Sequence, residues 1–134
     1  MDSADARRAT GSSRFALGTS LSATGVSLVT VGGDLDAVTA PALMDCVRGQ
    51  LAAGAVALVI DLEAVDFLGS AGLAVLAEST RAVSEATPGS KLHLSGAAHR
   101  SVHRPLELVG LLPQFEVHPT SADALSSIEA ARRG

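Results

Sequence analysis

The segment Val65-Asp66-Phe67-Leu68-Gly69-Ser70-Ala71-Gly72-Leu73 decides the fold of this 134-residue chain. A strand-like apolar pattern ends at Leu68, a glycine allows the backbone to turn, and apolar residues then recur at helical spacing. The first turn of a helix has N–H groups without partners, and a serine oxygen can accept a hydrogen bond from one of them. Ser70 is therefore interpreted as a helix cap, with a regulatory switch as its alternative role.

Strand and helix patterns alternate through the rest of the chain. Residues 15–21 and 25–31 predict an antiparallel hairpin, and residues 55–61 predict a strand buried on both faces, because every position before Asp61 is apolar. Residues 32–38 are expected to form a loop, after which Thr39 caps a helix that has Pro41 in its first turn. The pattern from Ser70 onward predicts, in order, a helix ending near residue 87, a strand over 91–95, a weak helix over 101–109 interrupted by Pro105, a strand over 114–118, and a helix over 121–132 capped by Ser121.

These elements predict an α/β fold, with a mixed β-sheet of four to five strands and about four helices packed on it. The chain is 47% hydrophobic, which is sufficient for one core, so we expect a single domain over residues 14–134. Residues 1–13 are small or charged and lack an apolar period. We expect them to form a disordered N-terminal tail.

Composition excludes several classes of partner. The formal net charge of −4 argues against a nucleic-acid partner, which normally requires clustered basic residues. The longest strongly apolar run is far shorter than the roughly 20 residues that cross a bilayer, so no direct membrane insertion is expected. Cys46 is the single cysteine and cannot form an internal disulfide, which suits a reducing compartment, so we predict a cytoplasmic location.

No catalytic residue, metal or cofactor is predicted. The nucleophile motif G-x-S-x-G fails because Leu68 stands at the position of its first glycine. His99 and His103 have the spacing of two metal ligands on a helix, but no third ligand accompanies them. Neither glycine-rich nucleotide motif occurs, so any ATP-dependent step would belong to a partner.

Three motifs together resemble the STAS domain of bacterial anti-sigma factor antagonists. They are Gly-Asp-Leu-Asp-Ala-Val-Thr-Ala-Pro at 33–41, Val-Ile-Asp-Leu at 59–62, and the segment 65–73. The resemblance implies a STAS fold and an anti-sigma factor partner that is a serine kinase of the histidine-kinase-like ATPase type. In that family, binding of such a partner frees a sigma factor, phosphorylation of the antagonist releases the partner, and a phosphatase reverses the change. The partner-binding residues implied are Asp34, Asp36, Thr39, Gly69, Ser70, Ala71 and Gly72.

The chain departs from this family pattern at the phosphorylation site. Ala71 occupies the usual acceptor position, and the candidate phosphoacceptor Ser70 lies one residue earlier, about 100° away around the helix axis. The alternatives are therefore a constitutive antagonist without phosphorylation and a STAS adaptor subunit of a membrane lipid-transport complex. Asp61 is expected to have a local structural role at the end of its strand, bonding backbone N–H groups of the following loop.

Overall fold

The computed structural model of the protein describes residues 15–133. The tail predicted for residues 1–13 lies outside the described residues. None of the helices within residues 15–133 combines the length and the apolar character that crossing a bilayer requires.

A five-stranded mixed sheet forms the centre of the fold, in the spatial order β1-β2-β3-β4-β5. The first strand, β1, runs antiparallel to β2, and the other neighbouring pairs are parallel. Parallel neighbours need crossover connections, which the helices after β2, β3 and β4 provide. The predicted mixed sheet is confirmed, with these bounds: β1 Ala16–Leu21, β2 Val26–Leu35, β3 Ala57–Leu68, β4 His93–Ser95 and β5 Glu116–His118.

Four helices in the described chain cover the two faces of the sheet unequally. Leu58 and Ile60 of β3 belong to the large core, which also contains residues of the first three helices, whereas Val59 points to the opposite face and packs with Ala124 and Ile128 of the fourth. This opposition follows from the alternation of side chains along a strand. The helices are α1 Ala40–Ala52, α2 Ser70–Ala86, α3 Arg100–Leu108 and α4 Ser121–Arg133, and a 3₁₀ turn spans Leu112–Gln114.

Strands β2 and β3 differ from the sequence predictions in their extent. The loop predicted over residues 32–38 is confined to 36–38, because β2 continues to Leu35. Strand β3 passes Asp61, where the predicted buried segment 55–61 ends, and continues to Leu68, where the strand-like pattern also ends. Residues 32–35 pair with residues 64–68, with two register shifts in which β3 carries one extra residue each time. Gly33 has a φ of +85°, which a side chain would disfavour, and this backbone freedom keeps the irregular ladder paired.

Three local predictions need correction. Thr120 rather than Ser121 caps α4, because the Asp123 N–H donates to its Oγ1 at 3.0 Å. Pro105 lies inside α3 without ending it, since its fixed φ suits a helix and it removes only one hydrogen bond. Asp61 lies within β3, where its Oδ1 accepts a 2.9 Å hydrogen bond from the Ser95 hydroxyl, so it serves strand pairing rather than a strand-to-helix loop.

Two histidines on neighbouring strands form a pair at the edge of the sheet. His93 Nδ1 lies 3.0 Å from His118 Nε2, and the two rings are stacked with centroids 5.2 Å apart. One of these two nitrogens must donate and the other must accept, so the accepting nitrogen carries no proton. Burial and the neighbouring His118 lower the pKa of His93, and Glu116 acts in the opposite direction.

This pair predicts an acid-sensitive component of stability. Because the pKa of His93 is lowered in the folded state, the unfolded chain binds the proton more readily, and the free energy of unfolding falls as the pH drops below about 6.5. Urea unfolding measured between pH 7.5 and 5 should therefore show that the free energies of unfolding of wild type and His93→Gln differ less at pH 5 than at pH 7.5. His103→Gln is the matched control because it keeps the His93–His118 contact, and it should therefore keep the loss of stability at the acid end. Parallel profiles for wild type and His93→Gln would contradict the prediction.

Candidate functional site

The ends of β2 and β3 bring two motifs of the sequence together. Leu35 pairs with Leu68 in parallel register, so the segments that follow these residues leave the same edge of the sheet side by side. The Gly69 N–H donates to the Leu35 carbonyl oxygen at 3.0 Å and joins the segments directly. The turn before α1 and the first turn of α2 therefore form one continuous surface.

The turn over residues 36–39 is held by its own side chains. The Asp36 carboxylate accepts hydrogen bonds from the N–H groups of Val38 and Thr39 at 3.0 and 3.1 Å. Thr39 Oγ1 donates to the Asp34 carbonyl at 2.7 Å and accepts from the Asp36 N–H at 2.9 Å. The Thr39 N–H and then its hydroxyl lower the pKa of Asp36 by stabilising the carboxylate, against the effect of burial.

Thr39 occupies the N-cap position of α1, as predicted, but its hydroxyl does not bond to the helix. The hydroxyl is used within the turn, and Pro41 lies at the start of the helix, where its missing N–H costs no hydrogen bond. Asp34 and Asp36 are therefore placed next to α1, with Asp34 still part of β2. Both side chains are partly exposed.

Helix α2 begins at Ser70, but Ser70 is not its N-cap. Gly69 holds the N-cap position in extended conformation, and Ser70 is the first helical residue. A side chain reaches the free N–H groups of the first turn from the N-cap position, so this interpretation of Ser70 is wrong. Ser70 is exposed, and its hydroxyl has no hydrogen bond to any of residues 15–133. The half-buried Ala71 packs against the core.

Gly72 is buried and allows α2 to approach the strand ends. A Cβ at this position would lie 2.7 Å from Leu68 Cδ1, 2.8 Å from the Leu35 carbonyl oxygen and 2.9 Å from Leu35 Cγ. Two of these atoms belong to Leu35, one of them in its backbone, so the strand end would have to shift. The part of Gly72 in the site is therefore to position the helix, whereas Ser70 is the residue that solvent reaches.

Two apolar side chains that the sequence analysis did not select flank this surface. Val38 is 86% exposed at the tip of the turn, and Phe67 is 53% exposed immediately before the start of α2. The Phe67 ring lies over Gly69, and a Cβ added at Gly69 would be 2.9 Å from it. The sequence carries no signal that identifies Phe67, because an apolar residue in a strand pattern is expected to be buried.

A groove of about 420 Å³ continues the surface between α1 and α2. Its lining is mainly apolar and includes Pro41, Met44 and Ala71, with Asp45 and Glu78 also lining it. Arg48 of α1 forms a salt bridge with Glu78 of α2 across 2.6 Å, so the two helices are also joined there. We refer to residues 36–39, Phe67, Ser70 and this groove as the strand-end face. Within residues 15–133, no cluster of three metal-binding side chains occurs.

Comparison with protein families gives one match that covers most of the chain. The model of the STAS domain matches residues 21–124. The chain is 38% identical over 105 residues to the anti-sigma-F factor antagonist RsfB of Mycobacterium tuberculosis, in both strain CDC 1551 / Oshkosh and strain ATCC 25618 / H37Rv. These residues cover 78% of this chain and 82% of RsfB.

Solved structures show the same architecture. An anti-sigma factor antagonist from Mycobacterium paratuberculosis aligns with a TM-score of 0.76 and 36% identity over 86% of this chain and 94% of its own. The anti-sigma factor antagonist SpoIIAA in its unphosphorylated form aligns with a TM-score of 0.72 over 86% of this chain and 97% of its own. At 16% identity, the likeness to SpoIIAA concerns the fold alone.

Replacement by alanine should have opposite effects on stability at Gly72, where α2 approaches β2 closely, and at Gly49, where space is open. Gly72→Ala should lower the free energy of unfolding by about 1–3 kcal/mol, because its Cβ overlaps Leu35 and Leu68. Gly49→Ala, on the exposed side of α1 with no atom within 4 Å of the new Cβ, should raise it by up to about 1 kcal/mol. Denaturant unfolding of both variants measures the contrast, and a stable Gly72→Ala protein would refute the tight contact.

Proposed function

The chain belongs to the STAS domain family, among the anti-sigma factor antagonists, and we propose that it binds an anti-sigma factor through the strand-end face and thereby frees a sigma factor. The observation that carries this proposal is the exposure of Val38 and Phe67 beside Ser70. Sequence similarity to RsfB along most of both chains supports the same role. A partner that controls transcription in this way places the protein in the cytoplasm.

The strand-end face has the properties of a protein-binding surface. Fully burying a valine or phenylalanine side chain is worth about 1.5–3 kcal/mol. Val38 exposes most of its surface to solvent and Phe67 about half, so a partner could still gain much of this free energy. The adjoining groove adds apolar area, and the turn stabilises the ionised form of the partly exposed Asp36 carboxylate. A partner with an apolar centre and basic residues around it would match this distribution.

Phosphorylation of Ser70 is the proposed control of this binding. The hydroxyl is accessible and stands in the first turn of α2, where the helix dipole and the free N–H groups favour negative charge. A phosphate adds about −1.5 to −2 charges, which the helix tolerates and an apolar partner surface does not. We propose that the anti-sigma factor is itself the serine kinase, of the histidine-kinase-like ATPase type, and that a phosphatase restores binding.

Ala71 favours a second candidate, an antagonist that binds constitutively. Its methyl group is half-buried against the core and offers no oxygen for phosphoryl transfer. A kinase that expects a hydroxyl at this position would meet Ser70 displaced by about 100° around the helix. In this second candidate, the strand-end face and its partner are the same, and only the control by phosphate is absent.

Phe67 is predicted to be a central contact for the anti-sigma factor. Phe67→Asp should weaken binding of the purified cognate anti-sigma factor by at least about tenfold, measured by isothermal titration calorimetry, since a buried aromatic contact is replaced by a charge. Leu108→Asp is the matched control, because Leu108 is 68% exposed at the end of α3, away from the strand-end face. Equal affinities for Phe67→Asp and wild type would refute the proposed interface. Failure of the wild-type protein to bind at micromolar concentration would refute the proposed partner.

The site of phosphorylation is tested with three proteins and labelled ATP. Incubation with the cognate anti-sigma factor should label wild type and leave Ser70→Ala unlabelled, while Ala71→Ser restores a hydroxyl at the usual position and should be labelled at least as well. Label retained in Ser70→Ala excludes Ser70 as acceptor. Binding without any label in wild type identifies the constitutive antagonist.

A further inference from the structure

A second concave region lies on the far half of α2, away from the strand-end face. This groove has a volume of about 700 Å³, and its walls are one side of α2, the segment that leads into β4, and the 3₁₀ turn. Its polar lining residues are Thr80, Arg81, Ser84, Ser90, Lys91 and Gln114. A volume of this size accommodates a small organic molecule.

The groove is positively charged in a chain that is negative as a whole. Its lining includes Arg81 and Lys91 but no carboxylate, whereas the formal net charge of the protein is −4. Within residues 15–133, neither cation takes part in a salt bridge. Lys91 Nζ donates to the Pro113 carbonyl oxygen at 3.1 Å, which positions the ammonium without neutralising its charge. The positive charge is therefore available to an anion.

Hydrogen bonds fix the walls of the groove relative to one another. Thr80 Oγ1 donates to the Gln114 carbonyl at 3.2 Å and accepts from the Leu92 N–H at 3.1 Å. A single side chain of α2 thus binds both the strand segment and the 3₁₀ turn. Because Thr80 is nine-tenths buried and its hydroxyl both donates and accepts, the groove is preformed, and Ser84 and Ser90 remain at its wall as further donors.

We propose that this groove binds a small phosphorylated compound whose body is not aromatic, such as a sugar phosphate. The guanidinium of Arg81 and the ammonium of Lys91 supply the charged donors that a phosphate monoester requires. Leu111 and Pro113 form the apolar part of the wall, and no aromatic ring lines the groove, so a nucleotide base finds no stacking surface. The serine hydroxyls suit the hydroxyl groups of a sugar.

The test is a titration of the ¹⁵N-labelled protein followed by amide chemical shifts. Glucose 6-phosphate should shift the amides of Ser84, Ser90 and Lys91 with a Kd of about 1 mM, and neutral glucose should leave them unchanged. The double variant Arg81→Gln/Lys91→Gln should weaken binding by about tenfold or more, because both charged donors are lost. Arg104→Gln, an exposed arginine on α3, is the matched control and should bind as wild type does.

Three results would overturn the inference: no shifts at 10 times the expected Kd, equal binding by the double variant, or shifts confined to other surfaces. AMP carries the same phosphate monoester on an aromatic body and should bind no more tightly than glucose 6-phosphate. AMP binding that is tenfold tighter would refute the non-aromatic class of ligand. These outcomes do not bear on the anti-sigma factor, because the titration uses the isolated protein and residues outside the strand-end face.

Discussion

The close contact between the end of β2 and the first turn of α2 is the constraint on which the rest of the strand-end face depends. The Leu35 carbonyl accepts a hydrogen bond from Gly69 and lies 2.8 Å from where a side chain at Gly72 would begin. Any residue except proline could donate the Gly69 hydrogen bond, whereas Gly72 leaves no room for a Cβ, so the helix meets the strand end at one depth only. That depth places Ser70 in solvent and leaves the turn over residues 36–39 beside it.

Neighbouring residues at the start of α2 have different structural roles. Gly69 ends the strand connection and occupies the N-cap, Gly72 sets the packing distance, and Ser70 between them contacts solvent. A charge added at Ser70 changes the surface that a partner meets without entering the core. The proposed phosphorylation of Ser70 is therefore compatible with an intact fold, because Ser70 and the packing residues share a helix turn but not an environment.

Helix α2 connects two surfaces of different chemistry. Ala71 and Glu78 of this helix line the apolar and acidic strand-end face, and Thr80 and Arg81, further along it, line the positively charged groove. The buried middle of the helix, with Leu76, Ser79 and Val83, holds it against the sheet. A ligand in the groove would therefore bind a helix whose position is already determined by its packing against the sheet.

The sequence by itself determined the type and order of the elements and the mixed sheet, because apolar periodicity and glycine positions are local properties. The 33–41 and 65–73 motifs meet at one edge of the sheet because β2 pairs in parallel with β3. Only the tertiary structure decided that β2 continues to Leu35 and that β3 runs through Asp61 without a break, since ladder pairing with irregular register extends strands through residues whose sequence is typical of a loop. It also decided that Gly69 rather than Ser70 is the cap, that Asp61 bonds Ser95, and that Val38 and Phe67 face solvent. These features depend on which segments become neighbours and how closely they pack, and distances between segments far apart in the chain are not encoded in any local pattern.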